Sequence, residues 1–175
     1  MEIRDAKFED AEAIARIHAE SWLQTYSRVL TKNYLEQIAP GERKEVWFSR
    51  LSIQDNNQKI VVAEIGGKII GFACCYYGNN KITRFYLDNL HVVKEFRSRG
   101  VGKLLLKSIA IWAISKNSDS GLCLLVNQDN ENAQKFYIRL GALNHSESIW
   151  KAPDGSIVPT YWFVWGALQC LTSAG

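Results

Sequence analysis

The chain has 175 residues, of which 47% are hydrophobic, and a formal net charge of +3 at neutral pH. We therefore expect one compact domain over residues 1–175 and exclude an intrinsically disordered protein. The charge is small and the basic residues form no long patch, which argues against a nucleic-acid partner.

Neither a targeting signal nor a membrane span is expected. Residues 1–10 already carry six charged side chains, unlike a signal peptide. The longest apolar stretches, Ile69–Tyr77 and Leu104–Ile114, fall short of the roughly 20 apolar residues that cross a bilayer. The histidines are scattered, so no metal site is predicted. These features favour a cytoplasmic protein.

The first half of the chain predicts helices and then an antiparallel meander. A strand near Glu2–Arg4 precedes a helix whose acidic first turn suits the positive end of the helix dipole. A second helical region follows, with a break expected at Pro40–Gly41. The strands predicted next, from their apolar residues and their glycine turns, are Lys59–Ile65, Lys68–Tyr77 and, after a turn at Gly78–Asn80, Arg84–Val93.

The second half predicts a crossover followed by a helix and a hairpin. Its elements are a helix over Val101–Lys116, a strand at Gly121–Val126, a helix over Asn130–Leu140, and strands near Asn144–Lys151 and Pro159–Leu168. This order predicts a mixed α+β fold.

The basic loop Arg97–Lys103 lies between a predicted strand and an amphipathic helix. Unpaired N–H groups at a helix start, together with the helix dipole, favour a bound anion. Gly100 and Gly102 let an anion approach the backbone, and three cationic side chains surround it. The loop therefore predicts a diphosphate site, with a solvated basic turn as the alternative.

Two other phosphate loops do not fit this segment. A Walker A loop needs glycine where Arg97 stands and Ser or Thr where Leu104 stands. A dinucleotide fingerprint needs a third glycine where Leu105 stands.

Two blocks of sequence resemble the GNAT acetyltransferase superfamily. Leu90–Val92 followed by Arg97–Gly102 resembles the family's central strand and its Q/R-x-x-G-x-G/A pyrophosphate loop. Val126–Tyr137, closed by Leu140–Ala142, is similar to the fifth strand and the N-x-x-A-x-x-x-Y helix. The blocks have the family's order and separation, and the resemblance in layout covers about Lys59–Leu168.

The resemblance implies a GNAT fold, a mostly antiparallel mixed sheet with one splayed parallel strand pair, flanked by helices. It also implies acetyl-CoA as co-substrate, with its pantetheine arm pairing along the central strand as an added strand would. The N–H of Val92 would then bind the acetyl carbonyl. The cofactor-binding residues that it implies are Leu90, His91, Val92, Arg97, Ser98, Arg99, Gly100, Val101, Gly102, Lys103, Asn130 and Tyr137.

Tyr137 matches the family's common general acid. A phenol with a pKa of about 10 keeps its proton until the departing CoA thiolate needs it. Tyr137 also shares a helix face with Ala133 and Leu140, which predicts a core position. An apolar ring with a polar tip serves both purposes.

The general base is where this chain departs from the family pattern. Many members carry Glu where Tyr86 or Leu125 stands here. Strand alternation would place Asp88 on one face with Tyr86, Leu90 and Val92, so Asp88 is the candidate base, directly or through water. A structural role, capping a turn or pairing with Arg or Lys, is equally open.

The acceptor side has further candidates. Alternation places His91 on the opposite face from Asp88, and His18 either lines the pocket or is structural. The expected substrate contacts are Trp22, Tyr26 and Asp88, and aromatic residues that either ring the cleft or belong to the core are Trp22, Tyr26, Tyr76, Tyr86, Trp150, Tyr161 and Trp162.

The resemblance implies an acyltransferase that moves acetyl from acetyl-CoA to a primary amine by direct attack in a ternary complex. The alternative is a non-catalytic CoA-binding regulatory domain on the same fold. The acceptor is expected to be a small-molecule amine or a peptide amine. A homodimer is allowed, and neither a membrane partner nor a metal is expected.

Overall fold

The computed structural model describes residues 1–53, 55–78 and 82–173, whose seven strands form one sheet in the order β1-β2-β3-β4-β5-β7-β6. The strands are β1 Glu2–Asp5, β2 Gln58–Ile65, β3 Lys68–Tyr77, β4 Phe85–Val92, β5 Leu122–Asn127, β6 Leu143–Lys151 and β7 Ile157–Trp165. The helices are α1 Ala11–Tyr26, α2 Ala39–Ser52, α3 Val101–Lys116, α4 Glu131–Arg139 and α5 Gln169–Ser173. The expected mixed fold is confirmed.

Strands β4 and β5 run parallel, whereas the other neighbouring pairs of the described sheet are antiparallel. They pair only at Phe85↔Leu122 and Tyr86↔Cys123. Beyond these residues β4 remains bound to β3 and β5 to β7. The two strands therefore splay apart as expected, and a V-shaped gap opens toward their C-terminal ends.

The two faces of the sheet carry separate cores. Leu105 and Ile109 of α3 pack on one face, together with residues of α4 and α5. Ile14 of α1 and Trp47 of α2 pack on the other. We call these the α3 face and the α1/α2 face.

The structure departs most clearly from the sequence prediction at two places. The helix does not break at Pro40–Gly41, because a π-helical turn over Tyr34–Ile38 leads into α2 and places Pro40 in its first turn. A proline is tolerated there because the first N–H groups of a helix have no internal partner. The last strand ends at Trp165, and α5 follows. The turn expected at Gly78–Asn80 lies, beyond Gly78, outside the described residues.

A β-bulge interrupts β4 at Asp88. Cys74 of β3 pairs with Asn89, and Cys75 pairs with Leu87, so Asp88 is an extra residue opposite β3. An extra residue shifts every later side chain to the face opposite the one that simple alternation predicts.

The bulge corrects the predicted faces of β4. Leu90 and Val92 pack against the α3 face, not beside Asp88 as alternation had placed them. His91, expected opposite Asp88, lies on the α1/α2 face, where its ring stacks on His18 of α1. Asp88 lies on that same face, bound to Arg50 of α2.

Candidate functional site

The backbone of β4 points into the gap at two positions. The N–H of Val93 donates to the carbonyl oxygen of Ile70 on β3 at 2.9 Å. Since hydrogen-bonded and non-hydrogen-bonded pairs alternate along antiparallel strands, the pairs Val92↔Gly71 and Leu90↔Ala73 are non-hydrogen-bonded. The N–H groups of Val92 and Leu90 are thus directed away from β3, toward the gap.

The loop before α3 has the backbone shape of an anion site. Ser98 has φ 60° and Gly100 has φ 81°, both in the left-handed region. The first backbone hydrogen bond of α3 runs from Leu104 N to Gly100 O at 3.1 Å. Within the described chain, the N–H groups of residues 98–102 make no backbone hydrogen bond. Successive N–H groups in such a nest favour an anion.

Ser98 stands apart from the glycines of this loop. It is the non-glycine residue with positive φ in the described part of the chain. A left-handed conformation costs a non-glycine residue about 1–3 kcal/mol and is concentrated at ligand sites. This strain is a reason to consider a binding role for the loop.

Arg97 joins the loop to its surroundings. Its Nε donates to Val92 O at 2.9 Å, and its Nη2 donates to Gln24 Oε1 of α1 at 2.8 Å. The Arg97 side chain therefore holds the end of β4, the loop and α1 together. Arg99 lies over the Phe96 ring at 5.6 Å, so its guanidinium, like that of Arg97, lies beside the exposed loop.

Residues at α4 lie beside the loop of residues 97–103. A Cβ at Gly102 would lie 3.3 Å from the Phe136 ring, which is tight enough to require a shift. Asn130 caps α4, because its Oδ1 accepts the N–H of Ala133 at 3.2 Å. The side-chain oxygen of Asn130 is thus committed to the helix, and its amide nitrogen is the part left for a ligand.

Tyr137 is a core residue whose hydroxyl is not fully enclosed. Its side chain is 8% exposed and packs against Trp165 and Phe163. Burial, with a smaller contribution from Tyr26, raises its pKa above the usual value. The hydroxyl has no hydrogen-bond partner among the described residues, yet it is not one of their fully enclosed unpaired atoms. The phenol is therefore protonated, and its oxygen is not fully enclosed.

Asp88 makes an ion pair of the kind that the sequence left open as an alternative to the base. Arg50 Nη1 donates to Asp88 Oδ2 at 2.8 Å, with both side chains about a quarter exposed. The Arg50 guanidinium also lies over the rings of Trp47 and Tyr76, at 4.9 and 5.4 Å. The carboxylate that sequence reasoning named as candidate base is therefore held in an ion pair.

An aromatic cluster lies on the α1/α2 face. Trp22 and Tyr26 of α1 contact Trp150 of β6 at ring distances of 5.6 and 5.4 Å. Tyr86 contacts Trp162 across the sheet at 5.9 Å. Tyr161, grouped with these residues from the sequence, packs instead against the α3-face core, because neighbouring residues of β7 point to opposite faces.

Sequence reasoning missed a contact between α1 and β4. His91 Nδ1 lies 2.8 Å from Ser21 Oγ, and burial lowers the pKa of His91 to about 3. The only available signal was the spacing of His18 and Ser21, which are three residues apart on one helix. Alternation had turned His91 away from both, and only the bulge reverses that direction.

Comparison with known proteins agrees with this geometry. A family model described as the acetyltransferase (GNAT) family matches residues 12–142. The chain is 28% identical over 145 residues to an uncharacterized N-acetyltransferase of Archaeoglobus fulgidus, covering 78% of this chain and 89% of that protein.

Solved structures share the fold. PaiA N-acetyltransferase from Thermoplasma acidophilum, in complex with coenzyme A, has a TM-score of 0.68 and 21% identity, over 91% of this chain and 96% of its own. YncA from Salmonella typhimurium, with acetyl-CoA, has a TM-score of 0.70 and 16% identity, over 95% of this chain and 93% of its own.

The described residues offer neither a membrane-spanning helix nor a metal-binding cluster. In that part of the chain, no helix is both long and apolar enough to cross a membrane. The same residues hold no group of three or more His, Cys, Asp or Glu side chains placed to bind a metal ion.

Proposed function

Because the chain belongs to the acetyltransferase (GNAT) family, we propose that it transfers the acetyl group of acetyl-CoA to a primary amine. Attack is direct, within a ternary complex, and residues 1–175 act as one catalytic domain. The cellular setting is cytoplasmic, and the acceptor is a small-molecule amine or a peptide amine. A homodimer stays a prediction.

The observation that carries this proposal is the row of N–H groups over residues 98–102, which make no backbone hydrogen bond among the described residues. Two left-handed residues, Ser98 and Gly100, curve this row around one centre. The CoA diphosphate matches it in charge, and the β4–β5 gap beside it has the extended shape that a pantetheine arm requires.

The chain's own groups then supply two functions to the acyl transfer. The N–H of Val92, directed toward the gap, donates to the acetyl carbonyl oxygen as negative charge develops there. The Tyr137 hydroxyl donates a proton to the departing sulfur. Its raised pKa keeps that proton in place through the neutral pH range.

The proton count constrains the rest of the mechanism. A neutral amine forms the C–N bond as the C–S bond breaks; its nitrogen then loses one proton and the sulfur gains one. The transfer releases no net proton. Tyr137 gives a proton to the sulfur and is then reprotonated from solvent or by the proton that the amine nitrogen loses. A strong base is needed only if the acceptor arrives as an ammonium ion.

Turnover with a panel of amines tests the proposal. Release of free CoA thiol should require an amine. Mass spectrometry should find the amine heavier by about 42 Da, which is the mass added when an acetyl group replaces one hydrogen. Tyr137→Phe should reduce this release. Acetyl-CoA binding without turnover for any amine would favour the non-catalytic CoA-binding domain instead.

A further inference from the structure

His91 stands where the acceptor must meet the thioester. It directly precedes Val92, whose N–H is directed toward the gap, and the bulge turns its side chain to the α1/α2 face. That face also carries Tyr86 and the aromatic cluster of Trp22, Tyr26 and Trp150. The His91 ring therefore lies between the acyl site and the acceptor side.

The orientation of the His91 ring is fixed by contacts from α1. Ser21 Oγ lies 2.8 Å from Nδ1, and the ring stacks on His18 with centroids 4.8 Å apart. His18 is itself fixed, because Trp47 Nε1 donates to its Nδ1 at 3.0 Å. An indole N–H only donates, so His18 carries its own proton on Nε2.

The second ring nitrogen of His91 is available. Nε2 has no hydrogen-bond partner among the described residues, and it is not one of their fully enclosed unpaired atoms. When Nδ1–H donates to Ser21 Oγ, Nε2 presents a lone pair. An oriented ring with one reachable acceptor atom is suited to holding an N–H group of a ligand.

The groups around this ring disfavour a positive charge. His18 on α1 and Phe72 on β3 pack against it, and the positive charge of Arg97 adds to burial in lowering its pKa. The pKa of His18 is lowered by burial and, to a smaller extent, by the positive charges of Arg43 and Arg50 on α2. The carboxylate of the same strand, Asp88, is paired with Arg50.

We propose that His91 Nε2 accepts a hydrogen bond from the uncharged acceptor amine and directs the nitrogen lone pair toward the thioester carbon. This inference rests on the proposed acetyl transfer and names the acceptor class. A site that takes the amine already neutral favours weakly basic amines, and among peptide amines it favours the N-terminal α-amine over the lysine side chain. The lowered pKa of His91 keeps the lone pair available across the working pH range.

Two peptides of one sequence test the acceptor class. One has a free N-terminus and a blocked lysine, and the other a blocked N-terminus and a free lysine. Because an α-amine has a pKa near 8 and lysine about 10.4, kcat/KM at pH 7 should favour the first by about 10²–10³-fold. It should level off above about pH 8 for the first peptide and keep rising for the second. Preference for the lysine peptide at pH 7 overturns the proposal.

Variants test the role of His91. His91→Phe keeps a ring to stack on His18 and removes the acceptor atom, so kcat/KM should fall about 10-fold or more while the pH profile keeps its shape. Ser21→Ala should show a smaller loss. His145→Phe, at an exposed histidine of β6, is the matched control and should leave kcat/KM unchanged.

Three further outcomes have defined meanings. Unchanged kcat/KM in His91→Phe overturns the proposal. A loss that comes with weaker acetyl-CoA binding or a lowered melting temperature assigns His91 a structural role and also overturns it. If the parent protein binds acetyl-CoA but acetylates no amine at all, the proposed function itself has failed. Acetylation of the lysine peptide alone overturns the acceptor class but not the proposed function.

Discussion

The guanidinium of Arg50 on α2 lies 2.8 Å from the carboxylate of Asp88 at the bulge of β4. The two residues are 38 positions apart in the chain. This ion pair ties α2 to the sheet beside the gap, and Arg50 adds stacking on Trp47 and Tyr76. It gives Asp88 a structural partner in the place where the sequence suggested a proton acceptor.

Breaking this pair should lower stability. Asp88→Asn and Arg50→Gln should each reduce the free energy of unfolding by about 1 kcal/mol, because both groups are largely buried and each leaves the other unpaired. The double variant should lose less than the sum. Urea unfolding measures these values, and Arg16→Gln, which breaks the exposed Arg16–Glu20 pair on α1, is the control with a near-zero change.

The rate of Asp88→Asn separates the two roles of Asp88. A structural Asp88 predicts a modest rate defect of the same size at every pH. A defect that shrinks as the pH approaches the acceptor's pKa would instead identify Asp88 as the general base, since a base matters less when more amine is already neutral.

Gly102→Glu should abolish CoA binding. Even the Cβ would press on the Phe136 ring at 3.3 Å, and the added carboxylate would oppose the diphosphate. The rise in melting temperature that a native-state ligand produces should therefore disappear. Ile111→Glu puts the same charge on the same helix at an exposed site and should keep the rise. Normal binding by Gly102→Glu would refute the loop assignment.

Tyr137→Phe should separate catalysis from folding. The hydroxyl has no partner among the described residues, so its removal should hardly change the melting temperature or acetyl-CoA binding. Loss of a general acid should reduce kcat by about 10²–10⁴-fold. The control is Tyr77→Phe, whose ring packs on Phe85 away from the gap. Equal turnover in Tyr137→Phe and its parent would leave Tyr137 as a core residue only.

Stability should fall as the solution becomes acidic. Burial lowers the pKa of His18 and takes that of His91 to about 3, whereas both should titrate near 6.5 in the unfolded chain. Below pH 6.5 the unfolded state binds more protons, so the free energy of unfolding decreases as the pH falls, by up to about 1.4 kcal/mol per pH unit for each histidine. Urea midpoints between pH 8 and 5 measure this slope.

A variant of His91 tests whether the buried histidines cause this pH dependence of stability. His91→Phe removes one of the two buried titrating rings and should make the decrease about half as steep. A midpoint that stays constant down to pH 5 in the parent protein would show that neither histidine resists protonation in the folded state.

The sequence alone was sufficient for the features that depend on local pattern. Glycine spacing and the helix that follows predicted an anion loop over residues 97–103, and apolar periodicity predicted the seven strands and the crossover. These signals are local because unpaired helix N–H groups and side-chain periodicity arise within a few consecutive residues. The resemblance added the splayed strand pair, which the pairing of β4 with β5 confirms.

Only the tertiary structure decided which residues of β4 face α1 and α2. The bulge at Asp88 arises from the pairing of β4 with β3, and no alternation of residues within β4 itself records it. One extra residue exchanged the faces of His91, Leu90 and Val92. The partners of Asp88 and His91, which are Arg50 and Ser21, lie 38 and 70 positions away along the chain. Such contacts depend on how α1 and α2 pack on the sheet, which is a property of the whole core.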